Sequence, residues 1–314
     1  MRTLRIPAFI ALFLIIDALV GALLRPYYRA VTLPVFVNFH ARYVAENTNA
    51  EIVFFGDSRF QHGIDSGIIS DACACEARNI AVSGSNMVTT YYQLRDFLAT
   101  HHPDLLVLGI HWSRLAPQPN GSHYPFLLEM QEMRDAVEYA HISRDLEFVA
   151  RMTLRTYRYQ QALPRFLAGS LPVPEERKGD DEFMPVTGVL SLENFEFAVA
   201  NHFNVFDQPV DQTQREYFER TLKLLQQHNV AFVVVQAPEF IEIRSHIKHF
   251  DDLNNGIASI VTANGGAYID MNTPNASLTH NENFYADVLH LNTDGAQRFS
   301  KALWKEIEPM VSGQ

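Results

Sequence analysis

Positive charge is scarce in this chain, and cysteine is scarcer. Its 314 residues hold 25 Lys and Arg against 36 Asp and Glu, a formal net charge of −11. With no basic stripe in view, nucleic acid is argued against as the main partner. The two cysteines, Cys73 and Cys75, make neither a disulfide framework nor a complete zinc site. Only Ala74 separates them, and neighbouring side chains on a strand point to opposite faces, an awkward start for a bond. A partly buried pair ahead of a strand is therefore favoured; an exported domain leaves a strained or intermolecular bond open. No low-complexity tract or internal repeat stands out. Charged residues reach 19% and hydrophobic ones 47%, enough for one large core or a core plus a smaller lobe.

What the chain does have begins at its N-terminus. Ile6 to Leu24 is almost wholly apolar, close to the roughly 20 residues that cross a bilayer as a helix. Arg2 and Arg5 precede the run, and Arg25 and Arg29 follow it. With the terminal amine, the leading side is slightly more cationic, which favours export of everything downstream. Asp17, mid-run, is costly in lipid unless it faces a partner helix. A cleaved secretory signal is the competing reading, although Val20-Gly21-Ala22 is the nearest approach to a cleavage site. Residues 1–25 are thus expected to anchor the chain, and 26–49, without a clear period, to form a stalk or packing arm.

From residue 50 strands and helices alternate. Glu51–Gly56, Ala77–Val82, Asp104–Ile110, Val230–Gln236 and Ala267–Asp270 read as buried strands. Ser58–Ser70, Asn86–Thr100, Gln212–His228, Arg244–Asn264 and Thr293–Ile307 read as the helices between and after them. This alternation predicts an α/β fold, a flavodoxin-like three-layer α/β/α sandwich on a mostly parallel five-stranded sheet. The rhythm breaks between about 115 and 211, where a mainly helical lobe (Phe126–Arg158 within it) is expected as an insertion into the 50–314 domain.

Two motifs carry chemistry. Gly56-Asp57-Ser58 follows the first strand, at the carboxyl end where α/β sheets collect their functional groups. Ser58 there opens a helix, whose free N–H groups and positive dipole end favour an oxyanion. Asp57 or Ser58 as a plain helix cap explains the same residues. Asp287-Val288-Leu289-His290 precedes the last helix. An Asp three before a His can bring its carboxylate to Nδ1–H and leave Nε2 to take a serine proton.

These blocks resemble the first and last signature blocks of the SGNH/GDSL hydrolases. The resemblance implies Ser58 as nucleophile, with Asp287 and His290 completing a triad. The stretch Asn79-Ile80-Ala81-Val82-Ser83-Gly84-Ser85-Asn86 is similar to the second block, with Gly84 where the family's backbone oxyanion donor stands and Asn86 as a further donor. The third block departs from the family: Gly109-Ile110-His111-Trp112 puts His111 in place of an asparagine. His111 is either a replacement donor or a core or substrate-contacting residue. Arg59 replaces the usual hydrophobic residue after the serine, and with the apolar N-terminus this looks similar to the membrane-anchored branch that O-acylates exported polymers. Arg59 either clamps a substrate carboxylate or phosphate or pairs with an acid such as Asp65.

The resulting expectation is a serine esterase or O-acyltransferase of the bacterial inner membrane, its domain periplasmic or extracellular. It would act on an acylated cell-envelope glycan or small ester, with envelope-modification proteins as partners and no metal or organic cofactor required. A catalytically weak SGNH-fold binding or assembly protein of an envelope polysaccharide system is the alternative. His62, one turn after Ser58, either lies on the helix surface, the favoured reading, or faces the site. His246 and His249 with Asp251 and Asp252 are expected on a solvated face, and Phe126, Leu127 and Leu128 in the core of the lobe by default or else lining an acyl or glycan pocket.

Overall fold

The computed structural model describes residues 5–29, 48–115, 146–169, 185–202, 210–247, 250–272 and 276–311. Residues 30–47 of the expected arm, and Phe126, Leu127, Leu128 and His249, lie outside them. The chain divides into two compact units, residues 1–39 with 120–178 and residues 40–119 with 179–314.

In the first unit the apolar run forms one helix, Arg5–Arg29, of which Ile6–Tyr27 is long and apolar enough to cross a membrane. Asp17 is buried in it because its carboxylate has work there. Its two oxygens accept the N–H groups of Arg155 and Thr156 at 2.8 and 2.9 Å, the open end of the short helix Arg155–Arg158. That helix begins after Leu154, whose side chain cannot cap, so Asp17 supplies the missing acceptor from elsewhere in the chain. One and two turns further on, Gly21 lies against Arg155 and Leu24 packs with Tyr159 and Ala162.

The second unit is the α/β layer structure. Its strands are β1 (Ile52–Phe55), β2 (Ala77–Asn79), β3 (Leu105–Ile110), β4 (Ala231–Gln236) and β5 (Ala267–Asp270), in sheet order β2-β1-β3-β4-β5. Every pairing is parallel. β1 and β3 are buried along their whole length, as continuous apolar runs covered on both faces must be. The order reverses after β2, so the ends of β1 and β3 open at a switch point of the topology.

Three local expectations change. Ser58–Ser70 is two helices, Ser58–Gly63 and Ser66–Cys73, because Asp65 turns extended and caps the second through Ile68 N. The Arg244–Asn264 helix starts only at Phe250, after a 3₁₀ stretch, Ile241–His246. Cys73 and Cys75 are disulfide-bonded. They do not sit on a strand: Ala74, left-handed at φ 54°, ends the Ser66–Cys73 helix and turns both sulfurs to one side.

Candidate active site

β1 delivers Ser58 to the sheet's carboxyl edge. Asp57, not Ser58, is the helix cap: it is extended and its Oδ1 accepts Arg59 N at 3.0 Å. Ser58 is then the first helical residue and its Oγ is left for other work. Phe60, on the same short helix, lies against Gly109 of β3, where any Cβ would overlap its ring. Burial alone would raise the Asp57 pKa, but the charges of Arg114 and Arg59 and the Arg59 N–H hold it below the usual carboxylate value.

Asp287 and His290 sit on a closed loop. Ala286 N donates to His290 O at 2.9 Å, and Tyr285 bridges to Leu291 across its neck. Inside, Asp287 Oδ1 accepts Leu289 N at 2.7 Å and His290 N at 2.9 Å, which fixes the carboxylate before it meets the imidazole. His290 Nδ1 lies 2.9 Å from Asp287 Oδ2, and His290 Nε2 lies 2.8 Å from Ser58 Oγ. Partial burial pushes the Asp287 pKa up, yet the His290 hydrogen bond and charge and the two backbone donors bring it below the usual value. An ionised carboxylate only accepts, so Nδ1 carries the proton and Nε2 accepts from the serine hydroxyl.

The Val82–Ser85 turn is tied to the same strand end, since Val82 N and Ser85 Oγ both donate to Gly56 O at 3.0 Å. Gly84 is left-handed there, with φ 68°, a conformation that costs glycine little. Among the described residues neither Ser58 N–H nor Gly84 N–H donates a hydrogen bond. Of the other two expected donors, Asn86 has its Oδ1 engaged as an acceptor, which leaves the Nδ2 amide that would serve an oxyanion, and His111 spends its N–H elsewhere. Asn86 Oδ1 caps the Met87–Leu98 helix through Thr89 N and Thr89 Oγ1. His111 Nδ1 accepts from Ser113 N, so its one N–H is on Nε2, which donates to Glu239 at 2.9 Å. His111 thus spends its one N–H on Glu239.

Glu239 is the functional-looking residue that sequence reasoning misses. It is fully buried in the loop after β4. Its Oε2 accepts His111 Nε2 and Trp112 Nε1, both at 2.9 Å, its Oε1 accepts Arg244 Nε at 2.9 Å, and Arg59 Nη1 lies 3.6 Å away. Arg59 therefore pairs with Glu239 and not with Asp65. Burial would raise the Glu239 pKa, but the His111 hydrogen bond and the nearby cations lower it to about 2. Burial and Arg59 together lower that of His111 to about 4. The pair is carboxylate and neutral imidazole at neutral pH. Its position at a strand's carboxyl end, directly after Pro238, is the one signal that could have found it.

No family model matches the chain, and no curated protein matches it. Solved structures similar to it include three of low identity. One is an acetyl xylan esterase, AlAXEase, with TM-score 0.41 and 12% identity over 82% of this chain and 98% of that one. A second is a putative acylhydrolase from Bacteroides fragilis NCTC 9343, with TM-score 0.43 and 9% identity over 89% and 99%. The third is a GDSL-like lipase from Bacteroides thetaiotaomicron VPI-5482, with TM-score 0.41 and 10% identity over 87% and 98%.

Nine buried side-chain nitrogen and oxygen atoms lack a hydrogen-bond partner among the described residues, and four belong to groups around Glu239. They are Arg59 Nη1 and Nη2, Arg244 Nη2 and the Tyr285 hydroxyl. Each such donor costs about 1–3 kcal/mol if nothing fills it. For His62 the less favoured reading fits: its ring stands edge-on 5.6 Å from that of His290, and its Nε2 is 3.3 Å from Ser83 Oγ. One turn after Ser58, it turns toward the site. His246 is exposed, with its ring near Phe195.

Proposed function

We propose that this chain is a serine esterase or O-acyltransferase of the SGNH/GDSL type. The observation that carries the reading is the 2.8 Å approach of His290 Nε2 to Ser58 Oγ, with Asp287 at the far nitrogen of the same imidazole. Ser58 Oγ attacks the acyl carbonyl as its proton passes to His290 Nε2. The C–O bond to the alcohol then breaks, and His290 returns the proton to the departing oxygen. Water, or the hydroxyl of an acceptor, resolves the acyl-serine by the reverse proton path. Asp287 holds the Nδ1–H tautomer and steadies the imidazolium that forms. The N–H groups of Ser58 and Gly84 receive the oxyanion, and Arg59 faces the substrate.

The setting we propose is the periplasmic face of a bacterial inner membrane, with the Arg5–Arg29 helix as anchor and an acylated envelope glycan as substrate, alongside partner proteins that modify or export that glycan. The apolar length of Ile6–Tyr27 supports the anchor. The Cys73–Cys75 bond suits an oxidising compartment.

One observation favours a second reading. With His111 committed to Glu239, the oxyanion site lacks the side-chain donor expected at position 111. Losing a side-chain donor costs about 10² to 10³ in rate, which fits a weak catalyst or an SGNH-fold binding protein. A fluorophosphonate probe separates the two. Labelling that disappears in Ser58→Ala and His290→Ala supports the enzyme; folded wild type that takes no label refutes it in favour of the binding protein.

A further inference from the structure

We propose that Arg59, Arg244 and Tyr285 form a receptor for a carboxylate or phosphate carried by the ester beside its scissile bond. The proposal deepens the esterase reading and rests on it for the ester itself, while the receptor can be tested without turnover.

The argument starts from unmet hydrogen-bonding capacity. Glu239 accepts three hydrogen bonds and still leaves two guanidinium groups incompletely paired at its edge. Both terminal nitrogens of Arg59, one of Arg244 and the Tyr285 hydroxyl have no hydrogen-bond partner among the described residues, although Arg59 Nη1 stands 3.6 Å from Glu239 Oε2. The Arg59 side chain is 94% buried by its 6% exposure, and Tyr285 is fully buried. All these atoms are able to donate, and the guanidinium nitrogens can do nothing else. A water offers two lone pairs; a carboxylate or phosphate offers four or more in the fork geometry that arginine matches.

The charges themselves are matched. Around the cluster stand Arg59, Arg114 and Arg244 against Glu239 and Asp57, with His111 neutral. Asp287 also acts on Arg59 and brings the charges into balance, so the cluster has paired charge but unfilled hydrogen-bond donors.

Place then links the receptor to the chemistry. Arg59 directly follows Ser58, and Tyr285 stands two residues before Asp287 on the loop that carries His290. Arg244 approaches from the other side, its Nε on Glu239 and its guanidinium over the Phe250 ring at 4.6 Å. Its side chain keeps 23% of its surface exposed, while its unpartnered Nη2 is buried. Glu239 is a positioning residue: it aims both guanidiniums without using up their forks.

The test uses the full chain in detergent, titrated calorimetrically with inorganic phosphate and with glutarate at constant ionic strength. Saturable binding to wild type is expected, weakened about tenfold or more in Tyr285→Phe and in Arg244→Gln, the loss of one hydrogen bond to a charged group. Tyr285→Phe removes only an unpartnered hydroxyl, so it is expected to fold. No saturable binding, or equal binding by all three proteins, overturns the receptor; phosphate and glutarate arms tell which anion it prefers. A second arm compares kcat/KM for 4-nitrophenyl hemiglutarate and neutral 4-nitrophenyl butyrate. The anionic ester is expected to lead in wild type, with the ratio collapsing toward one in the variants. Anion binding without fluorophosphonate labelling keeps the receptor and sinks the esterase; labelling without anion binding does the reverse.

Discussion

Replacing Glu239 by Gln tests whether this buried carboxylate organises the site. The substitution keeps the shape and one acceptor oxygen. That oxygen can serve His111 and Trp112, but the new amide then turns its own donors toward Arg244 Nε, which now sits 2.9 Å from Oε1. Arg59 is left buried without the charge opposite it. Two routes give the size of the loss. The Glu239 pKa is lowered from 4.5 to about 2, which at 1.36 kcal/mol per unit corresponds to about 3 kcal/mol. Breaking a buried pair from one side typically costs about 3–5 kcal/mol. For a unit of this size, that predicts a midpoint lowered by roughly 6–20 °C.

The assay is thermal unfolding of wild type and Glu239→Gln, followed by the fluorescence of Trp112, whose Nε1 is bonded to Glu239. Acid adds a second reading. Both groups have lowered pKa values in the fold, so both contribute stability that is lost on acidification. The His111 share is complete above 6.5 and is lost as pH falls toward about 4. The Glu239 share is complete above 4.5 and is lost as pH falls toward about 2. Wild-type stability should therefore begin to fall below pH 6.5, and the variant should lack the Glu239 share of the fall below 4.5, while Asp57 and Asp287 still contribute theirs in both proteins. A variant within about 2 °C of wild type at pH 7.5, well under the shift expected for 3 kcal/mol, would refute the organising role. So would an unchanged acid limb.

Three further outcomes are expected. Gly109→Ala puts a methyl group into the Phe60 ring beneath the Ser58 helix, and overpacking of this kind should cost about 1–3 kcal/mol in denaturant melts while lowering fluorophosphonate labelling. Asp287→Asn presents an amide to His290 Nδ1 and favours the wrong tautomer; labelling should slow by about 10³ to 10⁴, with the loop hydrogen bonds to Leu289 N and His290 N still satisfied by the remaining oxygen. Asp17→Ala leaves Arg155 N and Thr156 N without their acceptor and should cost about 0.5–2 kcal/mol, read as faster proteolysis within residues 155–167.

The parts of this molecule that sequence makes legible are those set by short-range rules. Five apolar runs separated by helical stretches specify a parallel sheet, and chain order alone puts Ser58 after the first strand and the Asp287–His290 pair before the last helix. Asp287 reaches His290 within one loop, so three residues of sequence contain that geometry. Even locally, a competing signal can win. Asp65 is a strong cap inside an apparent helix and splits it, and left-handed Ala74 lets two cysteines bond that strand geometry would keep apart.

Glu239 fails to appear for a different reason. Its partners are His111 and Trp112 after β3, Arg59 after β1 and Arg244 in the 3₁₀ stretch, so no window of sequence holds the cluster. The same separation undoes His111 as an oxyanion donor. A motif can record that an imidazole stands where an asparagine is usual, but an imidazole has one proton at neutral pH. Ser113, two residues away, and Glu239, 128 residues away, decide which nitrogen bears it and where it points. His111 and Arg59 thus lean on the same buried carboxylate, which takes the N–H of one and faces the guanidinium of the other. Placing Asn at 111 in this chain should leave Glu239 short of a donor before it improves the oxyanion site.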